Sequence, residues 1–315
     1  MDGQSRIFWQ HPWRYRESIS IVSGVVVVGF LLQLTVGAVN FSLFRYPVNL
    51  FFGCIILLFL FVLSFFRDKM FYRWFSGIPF AVTVIAAMLI LALVLGLTPY
   101  QSGHLITSSW PFVLVYLLLL LSLGALIIRR LFNFRRKDYA FYLNHTGLWI
   151  WLFAAGLGAA DLERYLMQVY EGEIEWRASN YKNEIKELPI AIELINFDME
   201  VYPPCPAPNS LPLGEGWGGA GWGGAKRFMS DIRIYREGKD IDSALLEVNK
   251  PCRAGAWMIY QHSYDTSAGK MSKYSVMELV YDPWLIPACI GIWMLAAGSV
   301  CMLWAGNKKK EEEKI

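Results

Sequence analysis

Six apolar runs of about twenty residues each constrain this chain more than any other feature. They are Ile19–Val39, Val48–Phe66, Ile78–Leu97, Pro111–Ile128, Ala140–Ala160 and Trp284–Trp304. At about 1.5 Å of rise per residue, a helix of that length crosses the roughly 30 Å of hydrocarbon in a bilayer. Composition agrees, with 55% of residues hydrophobic and only 17% charged, too apolar for a soluble chain of 315 residues. The sequence therefore predicts a polytopic α-helical membrane protein with six spans. The first run is too long for the apolar core of a secretory signal and is followed by more spans, so it reads as an uncleaved signal anchor.

The net charge of +3 says little, because in a membrane protein the placement of Lys and Arg matters and their sum does not. Arg67, Lys69 and Arg73 lie between the second and third runs, and Arg129, Arg130, Arg135, Arg136 and Lys137 between the fourth and fifth. Lys308, Lys309, Lys310 and Lys314 follow the sixth, whereas the opposite loops, Asn40–Pro47 and Thr98–Trp110, hold only Arg45. The positive-inside rule puts both termini in the cytoplasm. The expected layout is a cytoplasmic segment at 1–17, five transmembrane helices within 18–160, an extracytoplasmic segment at 161–283, a sixth helix at 284–305 and a cytoplasmic tail at 306–315. In the N-terminal segment Arg6, Arg14 and Arg16 alternate with Trp9, Trp13 and Tyr15, a mixture that suits an interfacial collar on the lipid bilayer; no nucleic-acid partner is expected.

The extracytoplasmic segment, about 120 residues, is long enough for one small domain. Asp161 to Lys182 is charged and broken by Gly172, and reads as a juxtamembrane helical continuation. Beyond it the period changes. Ile190–Tyr202, Phe228–Tyr235, Ala244–Val248, Trp257–Tyr264 and Tyr274–Tyr281 are short runs rich in β-branched and aromatic residues, separated by turn signals such as Glu237-Gly238-Lys239-Asp240. A small β-rich domain follows, held by a span at each end. The Pro- and Gly-dominated stretch from Pro203 to Ala225 has no hydrophobic period and reads as a flexible insert between two strands, with Trp217 and Trp222 incidental to it.

The five cysteines make no redox centre. Cys54, Cys289 and Cys301 lie in spans, where packing is their ordinary role. Cys205 and Cys252 lie outside, where an oxidising compartment would let them pair, but no Cys-x-x-Cys occurs and no Gly-rich phosphate loop or zinc-ligand cluster accompanies them.

The stretch Phe141–Tyr165 is apolar enough to cross a bilayer yet contains His145. An ionisable side chain is expensive in hydrocarbon, which makes it a candidate site; the alternative is a histidine bonded to a backbone carbonyl near the interface. The helix by itself leaves both readings open.

Further along, IDSALLEVNKPCRAGAWMIYQHSYD and YSVMELVYDPWLIPACIGIWMLAAG carry a distinctive order. A strand ends at Val248-Asn249-Lys250-Pro251, a turn falls at Gly255, a strand carries Tyr260-Gln261-His262-Ser263-Tyr264, and Asp282-Pro283 leads into the final span. With FDMEVYP from Phe197, FMSDIRIY from Phe228 and the helix bearing Asn144-His145-Thr146-Gly147, this resembles the ResB family, also called CcsB, of cytochrome c biogenesis proteins. The resemblance runs from about Phe141 to the end. The chain departs from the family pattern in having four spans before the histidine helix and a Cys at position 252.

That resemblance implies a chain in the bacterial inner membrane with its β-rich domain on the periplasmic side. It also implies a CcsA-like partner, with which such proteins carry haem (haem b) outward and attach its vinyl groups to the two thiols of apocytochrome c. Under it, His145 becomes the candidate axial ligand of haem iron, with Trp149 one turn on as a surface for the porphyrin. The small residues from Ala154 to Ala160 favour helix packing over a flat ligand. His11, His104 and His262 are the other candidates for a second ligand, and each reads more simply as an interfacial, loop or surface residue. The family's Trp-rich haem signature is absent, so the missing ligands are expected on the partner and the chain reads as an accessory subunit of the synthase. The competing readings are a membrane scaffold that binds a partner protein without haem, and a small-molecule transporter, which the scarcity of charges in the spans disfavours.

Overall fold

The computed structural model describes residues 9–98, 106–181, 183–202, 225–237 and 239–312. It divides into two compact units, residues Met1–Asp161 with Trp284–Ile315, and residues Leu162–Pro283.

The first unit is helical. Its elements are α1 (Tyr15–Val36), α2 (Val48–Ser64), the short α3 (Met70–Phe75), α4 (Ile78–Leu97), α5 (Trp110–Leu131), α6 (Tyr139–Gly158) and α7 (Leu285–Glu312). Pro79 and Pro111 stand in the first turns of α4 and α5, where the missing N–H is no loss, and Arg129 and Arg130 close α5 at the negative end of its dipole. Four of these helices, α1, α4, α5 and the stretch Leu285–Trp304 of α7, are long and apolar enough to cross a membrane; α2, at 17 residues, is shorter. They make the chain a membrane protein. α6 has the length, at 20 residues, but Asn144, His145 and Thr146 lower its apolarity.

α1, α4 and α5 pack together, α2 and α6 lie against α5, and α7 packs on α6. The α6–α7 contact is backbone against backbone. A Cβ on Gly147 would stand 2.6 Å from Leu295 N, one on Gly291 2.6 Å from Trp151 N, and one on Gly298 2.5 Å from Asn144 N. Asn144 Nδ2 donates to Ser299 Oγ across the seam at 2.9 Å. Gly158 lies against Trp284 and Gly156 against the Tyr116 ring, so the glycines of the Ala154–Ala160 patch serve helix packing.

The Arg67–Arg73 connection holds an element with no counterpart in the sequence reading. In α3 Tyr72 is fully buried and donates to the Ala125 carbonyl at 2.8 Å, while Trp74 donates to Ser18 Oγ at 3.0 Å. Trp13 packs edge-on against Trp74 and Phe71, so the N-terminal aromatics are built into the bundle.

The second unit is one antiparallel sheet of eight strands, in the order β5-β4-β3-β2-β1-β8-β7-β6. The strands are β1 (Glu163–Tyr170), β2 (Ile174–Ser179), β3 (Ile185–Val201), β4 (Ala225–Arg236), β5 (Lys239–Glu247), β6 (Cys252–Ala254), β7 (Trp257–Tyr264) and β8 (Tyr274–Tyr281). The sheet curls until β5 touches β6 and β7, enclosing a core of alternate residues that includes Met167, Ile192, Ile234, Ile259 and Leu279. In β3 the inward set 188, 190, 192 and 194 changes to 197 and 199, because a bulge after Leu194 flips the phase.

The helical continuation expected for Asp161–Lys182 is corrected by this unit. Glu163–Tyr170 and Ile174–Ser179 form the β1–β2 hairpin, turning at Gly172 with φ of 77°. Tyr165, Met167 and Val169 recur at every second position and face the core, a period that the surrounding charges masked. The insert at 203–225 lies outside the described residues except for Ala225, which opens β4.

Inside the sheet, Gln261 Nε2 donates to Ser275 Oγ at 2.7 Å, and Ser230 Oγ donates to the same oxygen at 2.9 Å. On its outer surface Glu247 accepts from Arg227 and Lys250, which hold its carboxyl below the ordinary value of 4.5.

Two outcomes follow. Gly291→Ala must separate α6 from α7 and destabilises the detergent-solubilised chain by about 1–3 kcal/mol in thermal unfolding, whereas Gly24→Ala, whose methyl meets nothing within 4 Å, leaves the midpoint level or slightly raised. Because the folded carboxyl of Glu247 titrates low, its contribution is present above pH 4.5 and lost as pH falls through the lower folded value. Acidification should therefore lower the sheet's unfolding midpoint more in wild type than in Glu247→Gln.

Candidate functional site

Helix α6 presents different residues to different neighbours. Asn144, Gly147 and Trp151 meet α7, which leaves His145 and Trp149 on another face. His145 Nδ1 lies 3.1 Å from the carbonyl of Phe141, one turn earlier. A carbonyl only accepts, so Nδ1 carries a proton, and in the neutral ring the lone pair then falls to Nε2. The imidazole stacks on the Phe141 ring at 3.9 Å between centroids, and the Arg130 guanidinium lies over that ring at 5.0 Å. A carbonyl thus fixes the tautomer of a half-buried histidine whose free nitrogen suits a metal ion.

Trp149 is committed to packing. Its Nε1 donates to the Leu120 carbonyl at 3.0 Å, and its ring stacks on Phe153 at 4.7 Å. The indole also forms, with Thr146, the α6 wall of a groove of about 400 Å³ between α2 and α5. His145 and Trp149 share a helix face, as their spacing predicts, but through different contacts: His145 against Phe141, Trp149 against α5.

The donor set fits haem at one point, His145, whose Nδ1 is satisfied by a carbonyl and whose Nε2 has no protein partner in that bond. Among the described residues no group of three or more His, Cys, Asp or Glu could hold a metal ion. Of the other histidines, His11 stacks on Trp13 at 4.9 Å, His262 is exposed at a bulge in β7, and His104 lies outside the described residues. Cys252 is partly buried and burial pushes its thiol up to about 11, which leaves it protonated and unreactive; Cys205, its expected partner, lies outside the described residues.

A second polar centre went unread in the sequence. Asp161, just beyond α6, accepts from Tyr46 N at 2.8 Å through Oδ1, and from Asn49 Nδ2 at 2.6 Å and Trp284 Nε1 at 2.8 Å through Oδ2. Asn49 also donates to the Leu157 carbonyl at 3.1 Å. One buried carboxylate therefore ties the start of α2 to the end of α6 and the approach to α7. Its only trace in the sequence is an acid at the edge of an apolar run.

Residues 135–283 match the model of the ResB-like family. The match begins shortly before α6 and stops short of α7, and it bears out the resemblance carried by the histidine helix and the strand motifs. No curated protein matches the chain. A solved structure titled Cytochrome c Heme Lyase CcmF aligns with 82% of this chain at 15% identity and a TM-score of 0.34, and the chain spans 45% of that protein's length.

Asp161→Asn would set an amide N–H against donors. It should lower the thermal midpoint of the purified chain, with a loss of about 1–3 kcal/mol, and Asp161→Ala should do so too.

Proposed function

With a ResB-like region at residues 135–283 as the premise, we propose that this chain works in cytochrome c maturation, as an accessory subunit of a haem-handling complex in a bacterial inner membrane. The helical unit spans the bilayer six times with both termini cytoplasmic, and the sheet unit faces the periplasm. The observation that carries the reading is the 3.1 Å contact of His145 Nδ1 with the Phe141 carbonyl, which in the neutral ring leaves the lone pair on Nε2.

Haem b, when bound, supplies the iron and the vinyl groups that are joined to the acceptor's thiols. The role of this chain is to hold and orient. His145 would hold the iron through Nε2, and the Phe141 carbonyl and ring keep the imidazole from turning. Trp149 gives the porphyrin one apolar edge while pinning α6 to α5. A CcsA-like partner would supply the ligand that this chain lacks, and apocytochrome c would be the acceptor.

The scaffold reading differs only in lacking haem, so a spectrum separates the two. Purified with its partner, the wild-type complex should show haem by absorption and pyridine haemochrome assay. His145→Ala should lose most of that haem or retain it only with added imidazole. Stoichiometric haem in His145→Ala would remove the ligand assignment, and no haem in any preparation would favour the scaffold.

A further inference from the structure

The groove beside α6 has a use that haem ligation leaves open. Leu57, Leu60 and Phe61 of α2 form one wall, and Gly124 to Phe132 at the end of α5 form the other. Among the described residues that line it, Ser64 and Thr146 alone carry hydroxyls, and Ser64 Oγ is already spent on the Phe61 carbonyl at 2.6 Å. From Gly124 to Phe132 it extends about 12 Å at helical rise, most of the roughly 15 Å of hydrocarbon in one leaflet. It is open along its length: Leu57, Phe61 and Phe132 are all exposed. Such a groove accepts a flexible hydrocarbon chain from the surrounding lipid.

Its mouth is charged. The Arg67 guanidinium stands 4.0 Å from the centroid of Phe132, a lining residue, and forms no ion pair among the described residues. Arg129, on the same turn of α5 as the groove's end, donates to the Arg73 carbonyl at 3.1 Å. The two connections at this end, 67–73 and 129–138, bring eight basic residues against two acidic ones, Asp68 and Asp138. An apolar slot between helices with an unpaired cation at its rim complements a ligand with a hydrocarbon tail and an anionic head.

We propose that this groove binds an anionic phospholipid, one acyl chain lying between α2 and α5 and the phosphate at Arg67. His145 lies outside the groove lining and Trp149 within it, so a lipid in the groove and haem at His145 would share only the Trp149 indole. A bound chain fills the space beside Trp149 and so supports the wall on which α6 rests.

The test is native mass spectrometry of the full chain, delipidated in mild detergent and titrated with phosphatidylglycerol or with phosphatidylcholine of the same acyl composition. Wild type should retain one phosphatidylglycerol and prefer it about fivefold, the factor that corresponds to about 1 kcal/mol for one basic residue at a lipid surface. Arg67→Gln should lose that preference while binding phosphatidylcholine as wild type does. Leu57→Trp, which fills the groove from its exposed side, should lower the occupancy of both lipids. Equal binding of the two lipids by wild type, a preference that survives Arg67→Gln, or a Leu57→Trp chain that binds as wild type would each overturn the proposal. Should Leu57→Trp fail to fold, the Arg67→Gln comparison decides alone.

Discussion

Backbone contact between α6 and α7 is the constraint on which the rest of the helical unit depends. Lipid tails are as apolar as leucine, so two helices gain nothing by hiding hydrophobic side chains from them; dispersion at close range and interhelical hydrogen bonds must do the work. Gly147, Gly291 and Gly298 permit that range, and the Asn144–Ser299 bond uses it. Once that face of α6 is assigned to α7, the rotation of the helix is set. His145 is then turned away from α7, and Trp149 is delivered to α5. The orientation of the candidate ligand is thus a by-product of glycines two and more residues away.

Polar groups in both units follow one rule. Each buried one has been given partners, because an unmet donor or acceptor is costly away from water. Asp161 gathers three N–H donors, Tyr72 and Trp149 reach carbonyls on α5, and Ser230 and Gln261 both donate to Ser275 within the sheet. Gln261 Oε1 is the exception among the described residues. These bonds act as pins: a sliding helix or strand would break them one for one.

The parts legible in the sequence were those governed by a single period. The run Ile78–Leu97 coincides with α4, and Trp257–Tyr264 and Tyr274–Tyr281 coincide with β7 and β8, since hydropathy or strict alternation fixed each without outside help. β1 and β2 were misread, because Glu163, Arg164, Glu171 and Glu173 dilute the alternation of Tyr165, Met167 and Val169, and only burial against the far side of the sheet reveals it. α3 was hidden for the opposite reason: six residues are too few to show a helical period, and its stability comes from the Tyr72 and Trp74 contacts to α5 and α1. At the candidate site, residue type singled out His145, but its tautomer depends on a carbonyl that no pattern of letters displays. The roles of Asn144 and Gly147 were likewise invisible until α7 was placed beside them.

The sheet pairs its first strand with its last, β1 with β8, Glu163 lying opposite Tyr281. Entry and exit of the chain are therefore neighbours, and the strands between form a closed excursion from that point. Such an arrangement behaves as a cassette. A segment whose two ends meet can be lengthened, exchanged for a homologous version or lost between the same two helices without redirecting either of them. Variation in the sheet is thereby uncoupled from variation in the membrane helices, and each half is free to change at its own pace.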